Sequence, residues 1–176
     1  MKWSRFTILA GMILTAAASR LVPHPPNFTP VAALALFGGA SFADKRAAFL
    51  VPLAALFLSD LWLGGFSAIT PVIYGSFGAI VCLGFWLRQR RSIGRVAAAA
   101  VTGAVLFFVA TNLGVWAFES LYPRTLAGLM ECYIAAIPFS RNTLAGDLVY
   151  SAMLFAGLAL AEKRWPFLAV ATPAIA

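Results

Sequence analysis

Apolar runs of about 15 to 23 residues, most of them long enough to carry a helix across a bilayer, recur along nearly the whole chain. Six can be drawn, at roughly 6–21, 28–42, 47–66, 69–87, 96–118 and 143–161. The second is the shortest and is expected to be partly re-entrant or to cross with little tilt. Lipid cannot satisfy exposed backbone groups, so helices are the expected form. The period-2 alternation of a membrane barrel is absent. The fold class is therefore all-α, an integral membrane bundle of six transmembrane helices in a single domain, residues 1–165. A flexible C-terminal tail is expected over 166–176, where Pro166 and Pro173 interrupt an apolar segment.

Charge sets the expected orientation. The net charge is +7 on only 11% charged residues, a balance that can indicate nucleic-acid binding. Its distribution argues otherwise. Lys2, Arg5, Lys45, Arg46, Arg88, Arg90, Arg91, Arg95, Lys163 and Arg164 fall at one set of span ends; only Arg20, Arg124 and Arg141 fall at the other. This is the positive-inside pattern. It predicts a multi-pass protein of the bacterial inner (cytoplasmic) membrane with both termini cytoplasmic, in contact with membrane lipid, and no nucleic-acid partner. The first segment, MKWSRFTILAGMILTAAAS, also has the basic start and apolar middle of a cleaved signal peptide. An uncleaved first span is favoured because the apolar run continues to Leu21 and Val22.

Polar residues in the outer halves of the spans and in the outer loops are the candidates for function. The loop after the first span, RLVPHPPNFTP, holds the single histidine, His24, and Asn27 among prolines that favour a stiff extended path. His24 reads either as an exposed loop residue or as a ligand contact. Asp60, near the outer end of the third span, is an ionisable residue in a costly place and calls for a partner, a cavity or hydration. Trp62 follows at the depth of the aromatic belt. Asn112 and Trp116 occupy the outer half of the fifth span.

The segment 119–147 is the one long polar-bearing interruption. Pro123 can open a helix, and Leu126, Leu129, Met130, Tyr133, Ile134 and Ile137 follow at offsets of three and four. An extra amphipathic helix is expected there, lying along the outer interface or folded over the bundle mouth and ending at Pro138, with its apolar stripe used for packing. Its other face carries Gly128, Glu131 and Cys132. Cys132 is expected on the outer side, either inert and buried under the helix or available to a ligand, and Cys82 buried; a lid there predicts that an impermeant thiol reagent labels Cys132 and spares Cys82. Beyond it, Arg141 and Asp147 are placed to form an ion pair. Small residues spaced four apart, such as Gly11–Thr15 and Ala35–Gly39, point to close helix packing. No metal site and no cofactor are expected, because one His and two Cys are scattered along the chain. No catalytic motif of the GxSxG or HExxH type is present.

The strings RLVPHPPNFTPVAALALFGGA (20–40), FLVPLAALFLSDLWLG (49–64), TNLGVWAF (111–118) and YPRTLAGLMECYIAAIPFSRNTLAGDLVY (122–150) resemble a family of small bacterial membrane proteins of uncharacterised function. That family in turn looks like the S components of energy-coupling factor (ECF) transporters, in size, six spans, internal termini and polar outer loops. The resemblance implies a substrate-capturing transport protein that takes a small vitamin-like molecule from the outer face and docks an ATP-driven energy-coupling module. The implied substrate wall is His24, Asn27, Asp60, Trp62, Asn112, Trp116, Glu131, Cys132, Tyr133, Arg141 and Asp147. Many S components carry an Ala-xxx-Ala docking pattern on the first helix; here Ala10 is followed at that spacing by Leu14. Two other classes fit the residues: a non-catalytic membrane scaffold that binds partner helices, and an intramembrane enzyme acting on lipid.

Overall fold

The computed structural model describes residues 2–169, with side chains from Arg5 onward. Among the described residues the chain forms six α-helices: α1 (Lys2–Ala18), α2 (Val31–Ser41), α3 (Lys45–Leu63), α4 (Thr70–Leu87), α5 (Ile93–Phe118) and α6 (Leu126–Arg164). Four of them, α3 to α6, are long and apolar enough to cross a membrane. They indicate a multi-pass membrane protein.

The expected second span is corrected by α2. It has 11 residues, about 16 Å at the α-helical rise, roughly half a hydrocarbon core. All of its residues are buried, and it touches each of the other five helices. A helix that is apolar on every face belongs inside a bundle. Glycine makes the fit possible. A Cβ on Gly39 would overlap the Val81 carbonyl of α4, and one on Gly84 would overlap the Leu36 carbonyl of α2. Gly38 lies in the same way against Pro52 of α3. Phe37 fills the centre, edge-on to Phe155 of α6 at 5.3 Å between ring centroids.

Helix ends follow local chemistry. Asp44, Ser92 and Thr125 cap α3, α5 and α6 by accepting backbone N–H bonds. Gly64, at φ 67°, ends α3 in the left-handed conformation that glycine adopts without strain.

The separate amphipathic helix is the second correction. Residues 126–164 form one helix of 39 residues, about 58 Å long. Pro138 sits inside it. Interior proline is tolerated in membrane helices when nearby Ser and Thr engage the backbone. Here Ser140 donates to Ile137 O (2.7 Å) and Thr143 to Phe139 O (3.3 Å). The expected packing face is also reversed. Leu126, Met130, Ile134 and Ile137 are exposed, while Gly128 and Cys132 are buried. Lipid is as apolar as leucine, so the small residues take the helix contact and the large ones face out.

The two ends of the bundle differ. At the basic end, Glu162 accepts from Arg5 (3.0 Å) and Arg91 (3.3 Å), and Arg88 donates to the Gly39 carbonyl (2.8 Å). Pro166–Leu168 form a 3-10 turn there with Leu168 buried; residues 170–176 of the expected tail lie outside the described residues. The far end carries the first loop, the α3–α4 turn and the α5–α6 connection.

Candidate functional site

The far end is organised by an ion pair between two helices. A 3-10 turn, Ser19–Leu21, continues α1 and brings Arg20 over α3. Arg20 Nη1 meets Asp60 Oδ1 at 2.8 Å and also bonds the Ser59 hydroxyl. Tyr74 of α4 donates to Asp60 Oδ2 at 2.9 Å. Both carboxylate oxygens of Asp60 are thus occupied, and the pair is neutral. Asp60 is held by a partner rather than by hydration.

The loop 22–30 closes over the start of α2. Phe28 N–H bonds Pro25 O, and Asn27 takes φ 62°. Asn sustains that conformation better than other non-glycine residues. The loop is tied to α6: Asn142 donates to Pro26 O (2.9 Å), Tyr150 shares a hydrogen bond with Ser19 (2.9 Å), and Gly146 lies flat on the Thr29 backbone. Thr29 and Pro30 lead into α2, whose first-turn N–H groups point back toward the loop.

Asp147 lies below that loop, one turn along α6 from Thr143. It is 2% exposed. The Ala33 backbone N–H, in the first turn of α2, faces its carboxyl group. Its Oδ2 has no hydrogen-bond partner among the described residues. The expected Arg141–Asp147 pair is not formed. Arg141 is exposed and makes no salt bridge among the described residues, because the continuous helix places it almost two turns before Asp147.

Two cavities meet at this level. The larger, about 260 Å³, is lined by Arg20, Asn27, Thr29, Asp60, Thr143 and Asp147, with Ile73, Phe77 and Phe107 among its apolar walls. The smaller, about 190 Å³, is lined by Thr111, Asn112, Phe108, Phe139 and Ser140. Asn27, Phe107 and Thr143 line both.

The structure brings four of the expected wall residues to these cavities: Asn27, Asp60, Asn112 and Asp147. The other seven lie elsewhere. His24 is exposed, its Nδ1 2.8 Å from Val22 O. Trp62 is 80% exposed on the flank, beside a shallow groove between α1 and α3. Trp116 donates to Pro123 O (2.9 Å), closing the α5–α6 connection. Glu131 and Arg141 are exposed. Tyr133 donates to Val109 O (2.7 Å), and Cys132, 2% exposed, donates its thiol to Asn112 O (3.4 Å). Cys82, expected to be buried, is exposed on α4, and Cys132 is buried, the inert one of its two expected states.

Arg20, Thr29, Tyr74 and Thr143 were not among the expected site residues. Arg20 did carry a signal. It is one of only three basic residues on the sparse side of the chain, and Asp60 is the acid at matching depth. Thr29, Tyr74 and Thr143 carry none, since such residues are common at span ends.

These elements define an all-helical, multi-pass membrane protein with a polar cavity at the end away from its basic cluster. The chain belongs to the family of unknown function DUF6580, which matches residues 1–168. The match agrees with the expected uncharacterised family and carries no link to ECF S components. No curated protein and no solved structure matches the chain.

Proposed function

We propose that the protein is a substrate-capturing membrane transport protein of S-component type, taking a small molecule into the far-end cavity. The carrying observation is the cavity itself: about 260 Å³, lined by Arg20, Asp60, Asp147, Asn27 and two threonines in an otherwise apolar bundle. Charged residues within spans are rare and mark substrate or ion pathways. The volume lies just below the about 300–1,000 Å³ of drug-sized pockets, so the ligand is small. The ten basic residues at the opposite end support a cytoplasmic location for that end, by the positive-inside pattern, in a bacterial inner membrane with both termini inside. The cavity then faces outward. An ATP-driven module would dock from the basic side or along α1.

Native mass spectrometry of the protein in gentle detergent tests this reading. The expected result is a retained small molecule whose occupancy falls when Asp60 is changed to Ala. A protein that is empty as purified, and stays empty after incubation with a panel of vitamins, would contradict it.

One observation favours a second reading, a scaffold for partner helices. Gly11 on α1 and Gly75 on α4 face open space, with nothing within 4 Å of a Cβ built on either. Such surfaces permit close approach of another helix. A stable hetero-complex purified without any small molecule would support the scaffold.

A further inference from the structure

The ligand's chemical class follows from an imbalance inside the cavity, and the inference rests on the capture reading above. Three charged residues line the cavity: Arg20, Asp60 and Asp147. The first two neutralise each other at 2.8 Å. Asp147 is left as a carboxyl group in no salt bridge among the described residues. The N-terminus of α2 faces it, with a partial positive charge of about half a unit. Oδ2 is buried and unpartnered among the described residues, on a side chain 98% removed from solvent.

A buried carboxylate oxygen without a donor is costly, and a charge-assisted hydrogen bond is the strongest way to satisfy it. From the lower side the Ser151 hydroxyl, itself unpartnered, offers only a neutral donor, and the gap it shares with Asp147 has no room for a water molecule. A positively charged donor can reach Asp147 only from the cavity that it lines. A bare metal ion fits poorly, since a hard cation takes six or more oxygens, and no group of three or more His, Cys, Asp or Glu side chains exists among the described residues. An ammonium group fits, with its positive charge and several N–H donors. Arg20 Nε, also buried and unpartnered, lines the same cavity and supplies a donor for an acceptor elsewhere on the ligand.

We infer that Asp147 anchors a protonated primary or secondary amine of a small ligand, with an acceptor group of that ligand turned toward Arg20.

The test uses the molecule released by denaturing the purified wild-type protein. It is treated with dansyl chloride, which marks amines, and read by mass spectrometry. One dansyl adduct is expected, together with a loss of at least about tenfold in occupancy in Asp147→Asn, the scale of one charge-assisted hydrogen bond. A second measurement needs no variant. The released molecule is N-acetylated and returned to the wild-type protein, with affinity expected to fall by at least about tenfold. A bound molecule without an amine, full occupancy in Asp147→Asn, or unchanged affinity after acetylation overturns the inference and leaves the capture reading standing. Stabilisation by Na⁺ or Mg²⁺ alone, with no organic molecule bound, also overturns it. A wild-type protein that retains nothing and binds nothing from the panel overturns the capture reading, and the inference falls with it.

Discussion

Arg20 and Asp60 show how much of a residue's role depends on its partner. Both are largely shielded, and each neutralises the other. Removing one leaves a buried charge, which typically costs about 3–5 kcal/mol. Arg20→Ala and Asp60→Ala are each expected to lower thermal stability in detergent by that scale. Tyr74→Phe, which removes one hydrogen bond to Asp60, is expected to cost about 1–3 kcal/mol. If Arg20→Ala alone is neutral, the pair is not structural. Cys132 gives a second prediction. Its thiol is buried and bonded to the Asn112 carbonyl, so a hydrophilic maleimide should spare it until the protein is unfolded. Labelling in the folded protein would mean that the α5–α6 contact opens. The sequence marks Asp60, Asn112 and Asp147 as polar side chains at lipid depth, and all three reach the cavities. It does not show their partners. The contact of Asp147 with Ala33 N–H depends on where α2 begins, and Arg20 with Asp60 on how α1 crosses α3. Both are tertiary facts.

At the scale of elements, the apolar runs locate α3, α4 and α5 to within a few residues, because a membrane span announces itself by composition. They mislead for α2. A buried central helix and a short span have the same composition, and only the end of the helix at Ser41 and the turn before Val31 separate them. The stripe 126–137 misleads in another way: in water an apolar stripe turns inward, while beside lipid it can turn outward. Glycine contacts test the packing. Gly39→Ala and Gly84→Ala press a methyl group into facing backbone and are expected to cost about 1–3 kcal/mol or more. Gly11→Ala, where nothing faces the new methyl, is expected to be neutral or to stabilise by up to about 1 kcal/mol through helix propensity. Equal effects at Gly39 and Gly11 would contradict the α2–α4 contact. For α6, Pro138→Ala should leave thermal stability unchanged or raise it, because alanine restores a backbone donor within a continuous helix. A marked loss would mean that two helices meet at that proline.

The whole molecule is a bundle with α2 at its centre, a basic cluster around Glu162 at one end and a polar cavity above the start of α2 at the other. This polarity is legible in the charge pattern of the sequence, since the basic residues fall at alternate span ends. The cavity was not legible, because it exists only where α2 stops short and the 22–30 loop folds across the opening. On the function proposed above, this opening faces outward and receives a ligand. The most direct test is a single cysteine at Asn27, which lines both cavities and is exposed, in a protein with Cys82 and Cys132 replaced by alanine. Whole cells and inverted membrane vesicles would be treated with a membrane-impermeant maleimide, with and without the molecule that copurifies. The account predicts labelling in whole cells, none in inverted vesicles, and protection by the bound molecule. Labelling only in inverted vesicles, or labelling that the bound molecule leaves unchanged, would contradict it.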